Sequence, residues 1–193
     1  MKFHIFVPLL FSLSIGCASS KSLVSMHESV YSDEAYNDKL EENTRNAIVN
    51  KSFQRIAEIN VTLMSSDFKK MLEDRVQKVY LTSSSDLTTS SQTTGVFVSI
   101  FSPEDKLMEL ENSSIWTIAL QIGEEKHFPI KVKKIYNKKK WENFFPYINM
   151  WTHEYFVLFN SPLSDESTGK LVKEEKLDLI LSNVNAKIKL IWP

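Results

Sequence analysis

Hydrophobic and polar positions divide the chain into three stretches with different patterns. Phe3 to Ile15 is an apolar run broken only by His4, Pro8, Ser12 and Ser14. From Ser19 to about Asn50 apolar residues are sparse, and neither glycine nor proline occurs. After that a period of two sets in. Ala57, Ile59, Val61 and Leu63 alternate with Glu58, Asn60, Thr62 and Met64, which predicts a strand with one buried and one wetted face. Ser65-Ser66-Asp67 supplies capping residues for a helix running to about Tyr80. Phe68, Leu72, Val76 and Val79 line one side of that helix, and Lys69, Lys70, Asp74 and Lys78 the other. The Ser- and Thr-rich stretch from Ser83 to Thr94 has no strong period and reads as a loop.

Further strands are predicted near Gly95 to Phe101, Ile115 to Ile122, Phe128 to Tyr136, Glu154 to Phe159, Lys176 to Leu181 and Ala186 to Trp192. The buried parity is plain in Trp116, Ile118, Leu120 and Ile122, in Leu177, Leu179 and Leu181, and in Ala186, Ile188, Leu190 and Trp192. Gly123-Glu124-Glu125-Lys126 and Ser182-Asn183-Val184-Asn185 fit hairpin loops. Short strands separated by turn-like breaks predict a mainly β fold with one or two helices: a β-sandwich, immunoglobulin-like in architecture, with a helix after its first strand. A small barrel is the competing fold. The domain is expected over 51–193, preceded by a polar tether at 17–50. Within the tether Ala35 to Val49 has a loose helical stripe of Leu40, Ala47 and Ile48, too sparse to dock strongly.

Composition adjusts this picture in two places. The 193 residues, 42% hydrophobic and 24% charged, suffice for one domain with a core. The formal net charge of −1 gives no overall field for nucleic acid, which is not an expected partner. The single cysteine is Cys17, so the domain must be stabilised by apolar burial rather than by disulfides.

Met1-Lys2, the apolar run and Gly16-Cys17 have the layout of a signal peptide at 1–16. The run is shorter than the roughly 20 residues of a membrane span, and Pro8 interrupts it. Leu13-Ser14-Ile15-Gly16-Cys17 resembles a lipobox, the processing site of bacterial lipoproteins, with Ser14 in place of the usual leucine as in the relaxed spirochaete form. The resemblance implies a lipid on Cys17 that holds the mature chain on a membrane of the bacterial cell envelope. Two acyl chains, at about 0.8 kcal/mol per buried methylene, anchor stably where one binds marginally. Ala18-Ser19-Ser20 follows the cysteine without an aspartate, which leans toward the outer membrane. Ordinary secretion, with cleavage near Ala18-Ser19-Ser20 and Cys17 discarded, is the alternative.

Candidate chemistry is thin. His27, His127 and His153 have no metal-type spacing, no nucleophile or phosphate-cradle motif occurs, and Gly95, Gly123 and Gly169 are the only glycines after Cys17. No catalytic residue, metal or cofactor is assigned. His153-Glu154 is an adjacent pair in a strand, so the two side chains should point to opposite faces. Lys126 to Lys140 contains seven lysines and no acid. Lys131 and Lys133 should face solvent, opposite Phe128, Ile130 and Val132, with Lys138, Lys139 and Lys140 in the following loop. Such lysines either protect an edge strand from pairing or bind an anionic partner: lipid head groups, lipopolysaccharide, glycosaminoglycan or an acidic protein. Trp141, Phe144, Phe145, Tyr147, Met150, Trp151, Tyr155 and Phe156 form an aromatic cluster that fills core or presents a contact surface. The expectation is therefore a membrane-anchored envelope lipoprotein with a non-enzymatic binding or envelope-assembly role toward a protein or polyanionic partner in envelope or host. The alternatives are a surface-exposed adhesin for polyanions and an enzyme whose site is assembled from distant residues.

Overall fold

The computed structural model of the chain describes residues 34–81, 87, 93–160, 164–165, 170–171 and 176–193. The signal peptide, Cys17, His27 and the tether up to residue 33 lie outside the described residues. In chain order the first elements are α1 (Glu34–Asn43), β1 (Thr44–Lys51), β2 (Gln54–Leu63), α2 (Ser66–Tyr80) and β3 (Thr94–Phe101). A 3-10 turn (Asp105–Met108) precedes β4 (Thr117–Ile122), β5 (Glu125–His127), β6 (Pro129–Ile135) and the four-residue α3 (Lys138–Trp141). Then come β7 (His153–Phe159), the short pair β8 (Ser164–Asp165) and β9 (Lys170–Leu171), β10 (Leu177–Ser182) and β11 (Lys187–Trp192).

Two antiparallel sheets result, sheet A in the order β1-β2-β3-β7-β6 and sheet B in the order β11-β10-β4-β5. No strand pairing joins them among the described residues, so the fold is a sandwich and not a barrel. The order is that of an immunoglobulin constant-type domain. There β2, β3, β7 and β6 take the places of strands A, B, E and D, and β4, β10 and β11 those of C, F and G. Beyond that plan β1 is added outside β2, and β5 outside β4.

The period-two residues meet between the sheets. Ile59, Val61, Val98, Ile100, Tyr155 and Val157 from sheet A pack against Ile118, Leu120, Leu179, Leu181, Ile188 and Leu190 from sheet B. In this core the polar edges of Trp116, Trp192 and Tyr155 are satisfied, as burial requires. Trp116 Nε1 donates to the Leu107 carbonyl at 3.0 Å, Trp192 Nε1 to Asn43 at 2.8 Å and Tyr155 Oη to Met108 at 2.6 Å.

A second core covers the other face of sheet A. Phe97, Phe156 and Ile135 point outward from β3, β7 and β6 and are covered by Phe68, Leu72 and Val76 of α2, by Trp141, Phe144 and Phe145, and by Tyr36 and Leu40 of α1. Phe97 and Phe145 stack at 4.1 Å with 7° between the rings. In α2 the predicted cap is present: Ser65 Oγ accepts from Phe68 N at 3.3 Å, and Leu81 ends the helix in the left-handed region. Among the described residues no helix is long and apolar enough to cross a membrane.

Three expectations are corrected. Residues 34–50, assigned to the tether, form α1 and nearly all of β1, and Glu34–Pro193 clusters as one compact unit. Tyr36 and Leu40 anchor α1, with Tyr36 Oη donating to the Phe144 carbonyl at 2.9 Å. The helices exceed one or two, because α1 comes from the supposed tether and α3 from the supposed lysine loop. Phe128 and Ile130 do not share a buried face with Val132. The pairing of β6 with β7 shifts between Pro129 and Lys131, and both Phe128 and Ile130 are exposed.

Candidate functional site

The five candidate lysines are distributed over β6 and α3. β6 is the last strand of sheet A. Lys131 and Lys133 stand opposite Leu158 and Phe156 in the register, on the outer face, while Val132 turns toward the sandwich interior. Lys131 and Lys139 are exposed, and Lys133 is half-buried. Lys138 is drawn inward: its Nζ donates to the carbonyls of Asn149, Met150 and Thr152 at 2.9, 2.9 and 3.2 Å and so ties down the loop before β7. Lys140 lies 5.1 Å from the centre of the Trp141 ring. At least two of the five therefore have structural attachments, which weakens their joint field toward a polyanion.

The aromatic cluster also divides. Trp141, Phe144, Phe145, Tyr155 and Phe156 are buried, and Tyr147 is half-buried. Met150 and Trp151 are exposed. Asn149 shapes their loop, since its Oδ1 accepts from Trp151 N at 2.8 Å and its backbone N donates to Thr152 Oγ1 at 3.0 Å.

That loop forms one wall of a groove on the outer face of β1 and β2. The two strands pair Thr44 with Thr62, Asn46 with Asn60 and Ile48 with Glu58, so alternate residues form a ladder on one face that is polar except for Ile48. The groove has a compartment of about 690 Å³ between α1, β1, the Pro146-Tyr147 segment and β11. A second compartment of about 210 Å³ is lined by Glu58, Phe101, Asn149, Trp151 and Thr152. The two share Asn60 and Tyr147.

Proton counting sets the polarity of the floor. Thr44 Oγ1 donates to the Leu40 carbonyl at 2.6 Å. A hydroxyl has one proton, so the 2.7 Å contact with Thr62 makes Thr62 the donor, and the 2.6 Å contact between Thr62 and Tyr147 makes Tyr147 the donor in turn. Tyr147, which lines both compartments, thus spends its proton inside the floor. Burial pushes its hydroxyl well above the ordinary tyrosine value, against the Thr62 hydrogen bond, so it stays neutral. Desolvation does the same to Tyr36, partly offset by Arg75, whose guanidinium lies 4.3 Å from the ring centre.

Three charged neighbours, Arg45, Lys189 and Glu58, are engaged. Arg45 Nε donates to the Ile191 carbonyl at 2.8 Å, and its Nη1 to the carbonyls of Glu42 and Thr44 at 2.8 and 2.7 Å. Lys189 pairs with Asp178 at 2.6 Å, and Glu58 with Arg55 at 2.8 Å. The amides of Asn46 and Asn60 have no hydrogen bond among the described residues.

His153 and Glu154 behave as neighbours in a strand must. His153 stands opposite Ile100 and Glu154 opposite Ser99 in the register. His153 Nδ1 lies 3.2 Å from Lys134 Nζ, and desolvation followed by that ammonium lowers its pKa, so a neutral imidazole accepts from lysine. Glu154 is buried, and desolvation raises its pKa against the hydrogen bonds of Thr152 and Ser99 and the charge of Lys138. Thr152 Oγ1 lies within hydrogen-bond distance of both the Asn149 carbonyl and Glu154 Oε1. One hydroxyl proton is thus shared between the Asn149 carbonyl and Glu154 Oε1, which also accepts from Ser99 Oγ. Sequence reasoning missed the groove because half of its floor, Asn46, lies on a strand read as tether; Asn60 was visible only as a wet-face position. No family model, curated protein or solved structure matches the chain.

Proposed function

We propose that the chain is a membrane-anchored envelope lipoprotein, held by lipid on Cys17, whose immunoglobulin-like domain binds an envelope component without transforming it. The observation that carries the binding role is the open groove of about 690 Å³ on the outer face of β1 and β2. Its volume falls within the roughly 300–1,000 Å³ of ligand sites. Its lining offers amides and hydroxyls, while Arg45, Lys189 and Glu58 are tied to backbone carbonyls or ion pairs. Acid–base work calls for titratable groups converging on a substrate, whereas His153 and Glu154 diverge across sheet A. The lipobox resemblance supports the anchor, and an outer-membrane address is the favoured form of this reading.

Replacing Cys17 with Ser should move the chain from the membrane fraction to the soluble one, because both acyl chains are lost. The soluble chain should then sediment saturably with washed, isolated envelopes. Retention of the Cys17→Ser chain in membranes would contradict the anchor, and absence of saturable sedimentation would contradict the binding role.

A further inference from the structure

We propose that the groove across β1 and β2 is a binding site for a neutral oligosaccharide chain, with Trp151 as the stacking surface and the Asn46–Asn60 pair as the hydrogen-bonding floor. The inference rests on the binding reading above and names the ligand class of that site. A sugar ring has an apolar C–H face and a rim of hydroxyls, each of which both donates and accepts. A carboxamide matches that rim because one side chain offers two donors and an acceptor. Asn46 and Asn60 stand side by side in the register, with their amides unused among the described residues. Tyr147, its proton given to Thr62, lines both compartments between the amides and Trp151.

Trp151 is the complementary apolar element. It is 66% exposed, whereas Trp116, Trp141 and Trp192 are 3%, 1% and 5% exposed. An indole left in water beside a polar floor is the arrangement by which small-molecule sites combine an apolar surface with a few oriented polar groups. The ligand should be neutral, because the cations at the groove, Arg45 and Lys189, are held by carbonyls and by Asp178, and the exposed Glu41 repels anions. It should be elongated, because the compartments of about 690 and 210 Å³ adjoin, with Asn60 and Tyr147 lining both.

The test uses the mature chain with Cys17→Ser and a panel of neutral tetrasaccharides built on glucose, galactose, mannose and N-acetylglucosamine. With the other three indoles buried, the solvent-sensitive part of tryptophan emission comes from Trp151. At least one sugar should produce a saturable blue shift, matched by saturable heat in calorimetry. Trp151→Ala should remove the shift, and Trp151→Ala and Asn60→Ala should each weaken binding about tenfold or more while leaving the urea midpoint unchanged. Saturable binding undiminished in both variants would place the sugar elsewhere and overturn the proposal. No binding by any sugar of the panel would overturn it as well. In that event sedimentation with envelopes would still stand if the binding role is right, and would be lost if it is not.

Discussion

The outer face of sheet A is two surfaces carried by one set of strands. Over β3, β7 and β6 it presents Phe97, Phe156 and Ile135, and α2, α3 and the segment through Phe145 cover them. Over β1 and β2 it presents Thr44, Asn46, Asn60 and Glu58, with the exposed Ile48 beside them, and lines an open groove. The sheet is continuous across the boundary, β2 pairing with β3, so the side chains decide. Covering an outward phenylalanine removes apolar surface at about 25 cal/mol per Å², whereas covering an unpaired amide costs about 1–3 kcal/mol. The apolar half therefore became core, and the polar half stayed wet and available.

The largest effect should come from breaking the covered half. Phe145→Ala removes the ring stacked on Phe97 at 4.1 Å and should cost about 3–5 kcal/mol in urea denaturation. Trp151→Ala, on the open half, should stay within about 0.5 kcal/mol. Equal losses would erase the distinction between the halves. Next in size is Tyr36→Phe, which keeps the ring but leaves the Phe144 carbonyl without its 2.9 Å donor and should cost about 1–3 kcal/mol. A neutral substitution would show that α1 is not docked in solution.

Glu154 lies within the covered half, opposite Ser99 in β3 and Ile135 in β6. Its raised pKa means that the folded chain retains a proton that the unfolded chain has released. Stability should therefore fall as pH rises from the ordinary value of 4.5 through the raised one. Glu154→Gln, neutral throughout, should lack that fall and be the more stable form near neutral pH. Parallel urea-midpoint profiles for the two proteins would exclude a neutral buried Glu154. The smallest effect is expected at the β6 edge. Reversing Lys131 and Lys133 to Glu should change stability by no more than about 0.5 kcal/mol and preserve solubility, since either sign of charge guards an edge. Heparin binding at low salt that this reversal abolishes would instead assign the edge to polyanions.

These contrasts also explain what could be read in advance. The inter-sheet core was legible because Ile59, Val61, Leu120 and Leu179 each sit in strands with one apolar parity, and α2 because Ser65 caps a helix with a regular apolar face. β1 was not legible. Its turn at Ser52-Phe53 places both residues at positive φ, 51° and 67°, the backbone of a tight hairpin turn without the glycine or asparagine that normally marks one. Nor does Asn46-Ala47-Ile48-Val49 alternate, because Ile48 points out while Ala47 and Val49 pack inward. The docking of α1 depends on Tyr36, an aromatic outside the sparse stripe of Leu40, Ala47 and Ile48. The shift between Pro129 and Lys131 turned a parity that simple alternation carried through Phe128 and Ile130. Half of the groove floor therefore lay on a strand that the pattern hid, and its far wall on an irregular loop that has no period to read.

The most direct measurement compares folding with binding in one variant. Asn46→Ala/Asn60→Ala should leave the urea midpoint within about 0.5 kcal/mol of the parent, because those amides hold nothing together, and should abolish saturable sedimentation of the soluble Cys17→Ser chain with isolated envelopes. A loss of several kcal/mol, or sedimentation indistinguishable from the parent, would contradict the claim that this half of the face is kept for a ligand.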